Sequence, residues 1–182
     1  MERKVYLEGD GLLLAAYSPE EDDLDSWRCW QDEDTQRGYN IRYAVPFEEY
    51  QQKSWRQRFV GTVLRQKGLV PIGLLMVSPE DAPPDLAIMI YPKFRGQGFG
   101  RAAFSLGVRY CFEVLGLEWV YAGCYEGNVR SLRMLAGCGF VRHPEGDGQE
   151  SHYQTGAPII QLDFVKYRRQ QEPEDKNGND TD

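Results

Sequence analysis

The segment from Leu86 to Arg101 constrains the fold of this chain more than any other part of the sequence. It begins with an unbroken apolar run, Leu86–Tyr91, which is typical of a central strand covered on both faces. A glycine-rich turn follows Pro92, with the sequence Arg95-Gly96-Gln97-Gly98-Phe99-Gly100-Arg101, and leads into an amphipathic helix. Glycines at such a turn let the backbone come close to a ligand, and the following helix presents free N–H groups. The segment therefore predicts an anion site between a strand and a helix, with a purely structural turn as the alternative.

Two well-known phosphate loops do not fit this turn. The dinucleotide fingerprint G-x-G-x-x-G needs a third glycine where this chain has Arg101. A nucleoside-triphosphate loop needs Gly-Lys-Ser or Gly-Lys-Thr, and the sequence contains neither. A nicotinamide-dependent oxidoreductase is therefore disfavoured.

The remaining patterns predict one mixed α/β domain over residues 1–168, with hairpins among alternating strands and helices. Helices are expected from the Ser18-Pro19 start signal, over Phe47–Phe59, after Gly100, and from an Asn128 cap to Gly139. Strands are predicted at Gly11–Tyr17, Val60–Gln66, Leu69–Val77, Leu86–Tyr91, Glu118–Cys124, Gln149–Tyr153 and Pro158–Val165. Residues 169–182 are acidic and contain no apolar anchor, which predicts a disordered tail.

Charge argues against a nucleic-acid partner. The net charge is −7, and eight acidic residues against one basic residue lie between Glu20 and Asp34. A basic footprint for duplex nucleic acid is therefore missing, whereas an acidic segment suits a cationic acceptor or a solvated helix face. No apolar run approaches the ~20 residues of a membrane span, and the first residues lack the apolar stretch of a signal peptide. We expect a cytoplasmic protein with no membrane partner.

Cysteine and histidine usage excludes further chemistry. The four cysteines, Cys29, Cys111, Cys124 and Cys138, are too far apart in sequence for a zinc knuckle or a redox pair, so we expect buried thiols. The sequence has only two histidines and no G-x-S-x-G elbow. We therefore predict no metal site and no serine hydrolase.

Two motifs together resemble those of a known superfamily. Arg95-Gly96-Gln97-Gly98-Phe99-Gly100 resembles the pyrophosphate motif of the GNAT superfamily of acyl-CoA-dependent N-acyltransferases. The segment from Asn128 to Phe140 is similar to the N-x-x-[AS]…G-F helix that flanks the pantetheine arm in that superfamily. The order of elements from Leu12 to Val165 also agrees. Ser131 and the late Thr155-Gly156 turn look most like the branch of ribosomal-protein N-terminal acetyltransferases, with spermidine and aminoglycoside acetyltransferases as neighbours.

The resemblance implies a GNAT-like fold, a central sheet of about six or seven strands with helices on both faces and a V-shaped cofactor cleft. It implies acetyl-CoA as co-substrate and, as partner, a small-molecule or peptide amine, with a homodimer as a possible assembly. The implied cofactor-binding residues are Ile88, Met89, Ile90, Arg95, Gly96, Gln97, Gly98, Phe99, Gly100, Arg101, Asn128 and Ser131. Backbone N–H groups of the glycine-rich turn would hold the pyrophosphate, and one near Ile88 to Ile90 would polarise the thioester carbonyl.

The catalytic groups are less well defined by the resemblance. In many GNAT members a tyrosine seven residues after the asparagine protonates the departing thiolate, but this chain has Leu135 there. Ser131 is the only hydroxyl on that helix and is the candidate acid, with helix-terminal hydrogen bonding as the alternative. Glu126 is the candidate base, although a solvated loop residue explains it as well. Tyr39, Tyr43 and His152 are candidates for the acceptor side.

The leading functional hypothesis is therefore an N-acetyltransferase that transfers an acetyl group from acetyl-CoA to a primary amine by direct attack in a ternary complex. The amine could belong to a protein N-terminus, a polyamine, an amino sugar or an antibiotic. A non-catalytic acyl-CoA-binding module is the alternative, because the tyrosine is missing.

Overall fold

A computed structural model describes residues 3–168, so the predicted tail at 169–182 lies outside the described residues. Its strands are β1 (Val5–Gly9), β2 (Leu12–Ala16), β3 (Phe59–Arg65), β4 (Val70–Val77), β5 (Leu86–Ile90), β6 (Trp119–Tyr125), β7 (Val141–Arg142), β8 (Gly148–Ser151) and β9 (Pro158–Tyr167). Its α-helices are α1 (Pro19–Gln31), α2 (Glu33–Tyr39), α3 (Phe47–Gln51), α4 (Phe99–Arg109) and α5 (Val129–Gly137). A π-helical turn, Tyr110–Val114, prolongs α4.

The strands form two sheets that meet between β5 and β6. In the first sheet, β1 to β5 lie in chain order, and every neighbouring pair is antiparallel. In the second, β9 pairs antiparallel with β6, β7 and β8. The connection between β5 and β6 is a parallel bridge between Asp85 and Tyr121, which makes the arrangement mixed, as predicted.

Helices cover both faces of the first sheet, which confirms the predicted layers. Along β4, side chains alternate between the faces because a strand has a period of two. Leu75 and Val77 belong to a core cluster that includes Phe104 of α4. Leu74 and Met76 pack on the opposite face in a cluster with Cys29 of α1.

All seven predicted strands are present with shifted ends, and the fold prediction is confirmed. Two short strands among the described residues were missed, β1 and β7. β1 exposes Val5 and Glu8 at the sheet edge, and β7 has only two residues, both exposed, so neither carries a clear apolar pattern.

One predicted helix needs correction, and one helix was not predicted. The helix predicted over Phe47–Phe59 ends at Gln51. Trp55 packs edge-on against Tyr17, and Phe59 pairs with Val77 in the first sheet. These tertiary contacts require a non-helical backbone after Gln51. The short helix α2 was missed.

The helix-start signals differ in detail from the simple sequence pattern. Ser18 precedes α1 as predicted, but its side chain makes no capping bond, and its N–H instead donates to the Asp22 carboxylate over 2.8 Å. The cap of α2 is Asp32, whose carboxylate accepts a hydrogen bond from the Thr35 N–H over 2.9 Å.

Candidate active site

A cleft of about 630 Å³ opens where β5 and β6 diverge. At its narrow end the Tyr121 N–H donates to the Pro84 carbonyl over 2.8 Å, within the parallel bridge. Beyond the bridge the two strands separate, and the helices α2, α4 and α5 complete the walls. This is the V-shaped cleft that the resemblance implied.

The edge of β5 that faces the cleft follows from its pairing with β4. The Ser78 N–H donates to the Asp85 carbonyl over 2.9 Å, and the Tyr91 N–H donates to the Ile72 carbonyl over 2.9 Å. Because backbone groups alternate in direction along a strand, those of Ile88 and Ile90 point away from β4 and toward the cleft.

Two side chains donate hydrogen bonds to the backbone carbonyl groups on this edge of β5. The hydroxyl of Tyr39 donates to the Ile88 carbonyl over 2.7 Å. Nε of Arg95 donates to the Ile90 carbonyl over 2.9 Å. The edge therefore offers the cleft two N–H donors, those of Ile88 and Ile90, and such a pair is suited to a carbonyl oxygen that gains negative charge.

The glycine-rich turn lies at the wide end of the same cleft. Gly96 and Gly98 have φ values of 72° and 85°, in the left-handed region that favours glycine. A Cβ atom built at either position would meet no heavy atom within 4 Å, so this backbone is bare toward the open space. Gly98 caps α4, an 11-residue helix whose first N–H groups and positive dipole end form an anion site. These features fit a pyrophosphate.

The side chain of Arg95 turns inward from that turn. Nη1 donates to the Asp32 carboxylate over 2.6 Å, and Nη2 donates to the Thr35 hydroxyl over 2.6 Å. Burial opposes ionisation of Asp32, but hydrogen bonds from Arg95 and Thr35 outweigh it and lower its pKa. The Arg95 guanidinium thus ties the end of β5 to the junction of α1 and α2.

The other residues of the predicted motif have different positions. Gly100 and Arg101 line the cleft, whereas Gln97 and Phe99 do not. The Gln97 side chain donates to the Lys93 carbonyl over 2.9 Å, and Phe99 packs edge-on against Phe94. Gln97 and Phe99 can therefore contribute only backbone groups to an anion.

Helix α5 forms the opposite wall of the cleft. Asn128 caps it as predicted, with Oδ1 accepting from the Ser131 N–H over 3.1 Å. Both residues line the cleft, and so does Leu135, which is buried. Glu126 lies on the exposed turn before α5, outside the cleft lining. The structure thus brings Ser131 to the site and leaves Glu126 apart from it.

Sequence reasoning missed Asp85, which lies at the narrow end of the cleft. Its carboxyl is partly buried, and burial together with the nearby charge of Asp163 raises its pKa to about 7. The only local signal is an acid directly before the apolar run, after a loop with three prolines. Such a pattern is typical of the end of a loop. It does not show that β6 lies beside Asp85, because that neighbour is distant in the sequence.

Asn40 joins the two halves of the molecule beside the cleft. It ends α2 in the left-handed conformation, with φ 50°. Its amide donates to the Ser151 carbonyl over 3.0 Å, and its Oδ1 accepts from the Tyr153 N–H over 2.8 Å. Tyr39, one residue earlier, is thereby held against β5, whereas Tyr43 stacks on Trp30, and His152 accepts from backbone N–H groups of its own turn.

One of the four cysteine thiols lies in the wall of the cleft. All four cysteines are free and buried, and burial raises the pKa of Cys124, which lines the cleft, to about 11. Within residues 3–168 no group of three or more metal-ligating side chains is found. The same part of the chain has no helix long and apolar enough to cross a membrane.

Comparison with known proteins points to one family. The sequence model of a family described as "Acetyltransferase (GNAT) domain" matches residues 12–141. The FsC-acetyl coenzyme A-N(2)-transacetylase of Aspergillus fumigatus is 37% identical to this chain over 78 residues. The match covers 43% of this chain and 32% of that relative, so the chain spans about a third of the relative's length.

Solved structures share the fold. A spermidine N-acetyltransferase from Vibrio cholerae, in complex with CoA and spermine, matches with a TM-score of 0.76 and 18% identity, over 87% of this chain and 96% of that one. The ribosomal-protein-S5-alanine acetyltransferase of Vibrio fischeri matches with a TM-score of 0.75 and 17% identity, over 93% of this chain and all 100% of the other.

Proposed function

Because this chain belongs to the GNAT acetyltransferase domain family, with acetyl-CoA as co-substrate, we propose that it transfers the acetyl group to a primary amine. The observation that carries the proposal is a single cleft with two kinds of site. A bare glycine-rich turn at a helix N-terminus lies at its wide end, and a pair of backbone N–H donors lies along β5. Together these sites suit the two polar parts of an acyl-CoA, the pyrophosphate and the thioester carbonyl.

The chain's own groups have distinct parts in this proposal. Backbone N–H groups of Gln97, Gly98, Gly100 and Arg101 hold the pyrophosphate. The N–H groups of Ile88 and Ile90, on either side of Met89, orient the thioester carbonyl and stabilise charge on its oxygen. Asn128 and Ser131 flank the pantetheine arm. Arg95 does not contact the pyrophosphate with its side chain but holds the glycine-rich turn in place through its bonds to Asp32 and Thr35.

The amine enters from the side of α2 in this proposal. Asp34 and Asp85 both line the cleft. Arg37 and Arg130 pair with Asp34, whereas Asp85 has no ion-pair partner among residues 3–168, and its negative charge favours a cationic acceptor. The spermidine acetyltransferase and the ribosomal-protein acetyltransferase that share this fold are named for amine substrates of two kinds. A polyamine and a protein N-terminus are therefore the first acceptors to test, followed by amino sugars and antibiotics.

Ser131 is the proposed acid for the departing thiolate, since α5 presents it to the cleft and its cap bond uses only the backbone N–H. Glu126 is the weaker proposal for the base, because it lies outside the cleft lining. Positioning of the amine against the thioester supplies much of the rate in either case.

The experiment is an amine panel with purified full-length protein and acetyl-CoA, read by release of free thiol. We expect amine-dependent thiol release with at least one of spermidine, an alanine-initiated peptide or an amino sugar. Acetyl-CoA binding by calorimetry without thiol release for any amine would favour the second candidate, a non-catalytic acyl-CoA-binding module. The observation behind that candidate is the apolar Leu135 where many family members carry tyrosine.

A further inference from the structure

Gln161 of β9 lies in the wall of the cleft beside Gly123 of β6. A Cβ atom built on Gly123 would lie 2.6 Å from Nε2 and 3.4 Å from Cδ of Gln161, so the carboxamide lies across the bare Cα of the glycine. The φ of Gly123 is outside the left-handed region, so its backbone conformation does not require glycine. A glycine inside a strand often marks the close approach of another group. Here the missing side chain makes room for the Gln161 carboxamide.

The Gln161 carboxamide has free hydrogen-bonding groups. On its other side Gln161 pairs with Gly148 of β8, where a built Cβ atom would meet no heavy atom within 4 Å. Among residues 3–168, no group donates to this carboxamide or accepts from it, although the side chain is half-buried. A primary carboxamide carries two N–H donors and one carbonyl acceptor. These groups are therefore available to a ligand in the cleft.

Strand pairing places Gln161 on the face of the sheets from which the proposed amine enters. Side chains alternate along a strand and match directly across a pair. Asp85 is bridged to Tyr121, so it shares a face with Gly123, two residues farther along β6. The register of β6 with β9 puts Gln161 on this face as well. On β5 the same face carries Met89, which packs in the cluster on the α1 side of the first sheet.

The carboxamide also lies at the level of the proposed thioester carbonyl. At the narrow end of the cleft β5 and β6 run in parallel from their bridge, and each rises about 3.3 Å per residue. Gly123 is two residues beyond the bridge on β6, and Ile88 is three residues beyond it on β5. The Gln161 carboxamide, which lies over Gly123, is therefore close in height to the Ile88 N–H. An amine that attacks a carbonyl held there would pass beside it.

We infer that Gln161 determines acceptor specificity by binding a carbonyl oxygen on the carbon next to the amine, an inference that rests on the proposed acetyl transfer. An α-amino amide complements the carboxamide, because its amine donates a hydrogen bond and its carbonyl oxygen accepts one. An alkyl amine has no such oxygen, so it would leave an N–H donor of Gln161 without a partner in the closed cleft. Gln161 is uncharged and adds no attraction for the second ammonium group of a polyamine.

The test uses two small acceptors, L-alaninamide and isopropylamine, in which a methyl group replaces the carboxamide. The value of kcat/KM is measured for each by thiol release at saturating acetyl-CoA with the full-length protein. Gln161→Leu keeps the approximate size of the side chain and removes its polar atoms. We expect the ratio of kcat/KM for alaninamide to that for isopropylamine to fall about 10–100-fold in this variant. Because both proteins are tested with the same two amines, differences in amine basicity cancel.

Gln149→Leu is the matched control for this substitution. Gln149 is an exposed glutamine of β8 that pairs with Ile160, so it points to the opposite face from Gln161, and it lies outside the cleft lining. Its leucine variant should keep the wild-type ratio. Acetyl-CoA affinity, measured by calorimetry, should be the same in the wild type and in both leucine variants.

A pair of glycine variants tests the position of the carboxamide without changing Gln161. Gly123→Ala places a methyl group where Nε2 of Gln161 lies and displaces the flexible end of that side chain. Gly148→Ala adds the same methyl group on the other side of Gln161, where it meets no heavy atom within 4 Å. We expect the alaninamide ratio to fall in Gly123→Ala and to stay unchanged in Gly148→Ala. This pair remains informative if Gln161→Leu fails to fold.

The outcomes separate this inference from the proposed function. Equal losses for both amines in Gln161→Leu, an unchanged ratio, or a loss of acetyl-CoA affinity would overturn the specificity role and leave acetyl transfer intact. The same holds if the wild type acetylates only amines that lack an adjacent carbonyl, such as spermidine. A wild-type protein that releases no thiol with any amine would instead overturn the proposed function, and the inference with it.

Discussion

At the scale of single residues, the backbone of Gly98 decides whether the turn can approach an anion. Its φ of 85° is strained for any residue with a side chain, by about 1–2 kcal/mol. In Gly98→Val the new methyl groups would also fill the open space in front of the turn. Loss of a hydrogen bond to a charged group is worth about 1.5–3 kcal/mol, so acetyl-CoA affinity should fall about 10–100-fold by calorimetry.

Gly68→Val is the matched control for this change. Gly68 has a φ of 84° in the turn between β3 and β4, outside the cleft lining. Its valine variant should lose similar stability and keep its acetyl-CoA affinity. Equal affinity in Gly98→Val and Gly68→Val would show that the pyrophosphate binds elsewhere.

Ser131 allows a separate test of the proposed acid. The cap of α5 uses the Ser131 N–H and not its hydroxyl, so Ser131→Ala should leave the helix intact. We expect kcat to fall at least ~10²-fold at saturating substrates, with acetyl-CoA affinity nearly unchanged. Asn128→Ala, in contrast, removes the cap and should cost about 1 kcal/mol of unfolding free energy. Near-normal kcat in Ser131→Ala, with chemistry rate-limiting, would reject the serine as the acid.

At the scale of elements, Arg95 fastens the end of β5 to the junction of α1 and α2. A double-mutant cycle of Asp32→Asn and Arg95→Gln, followed by urea unfolding, measures this coupling. We expect about 1–3 kcal/mol, because both groups are largely buried and the N–O distance is 2.6 Å.

The pair Arg56 and Asp81 provides the comparison, since it is exposed and 3.7 Å apart. Exposed ion pairs contribute about 0–1 kcal/mol, so its cycle should give a smaller value. Equal coupling in the two cycles would mean that the Arg95 contact does not hold the elements together.

At the scale of the whole molecule, Asp85 makes stability depend on pH. Its pKa is raised from 3.8 in the unfolded chain to about 7 in the fold, so the folded state binds more protons between these values. The free energy of unfolding should therefore fall as pH rises from about 4 to about 7, by at most about 1.4 kcal/mol per pH unit from this group. Asp85→Asn should flatten this dependence and should be more stable than the wild type at pH 8.

Urea unfolding at several pH values between 4 and 8 measures the effect, with Asp81→Asn as control. A wild-type and an Asp85→Asn protein with parallel pH dependences would contradict the raised pKa. This measurement is independent of any enzymatic activity, so it also tests the environment of Asp85 if the acceptor is unknown.

Features that depend on neighbouring residues alone could be predicted from the sequence. An unbroken apolar run reads as a buried strand, glycines read as a turn with positive φ, and Asn128 reads as a helix cap, because neighbouring residues suffice to define each of them. Seven strands followed from such patterns, whereas the acetyltransferase family was indicated by the resemblance of two motifs to those of known members. The prediction of a helix over Phe47–Phe59 was wrong, because residues near its end contact Tyr17 and Val77, which are distant in the sequence.

Which groups face the cleft depends on tertiary contacts. Tyr39 and Arg95 occupy the carbonyls of Ile88 and Ile90, and this leaves two N–H donors on the edge of β5. Asp85 becomes the floor of the cleft because Tyr121, 36 positions later in the sequence, pairs beside it. Such contacts join residues far apart in the chain, and a side chain's charge and hydrogen bonds depend on its neighbours in space, which local sequence patterns do not encode.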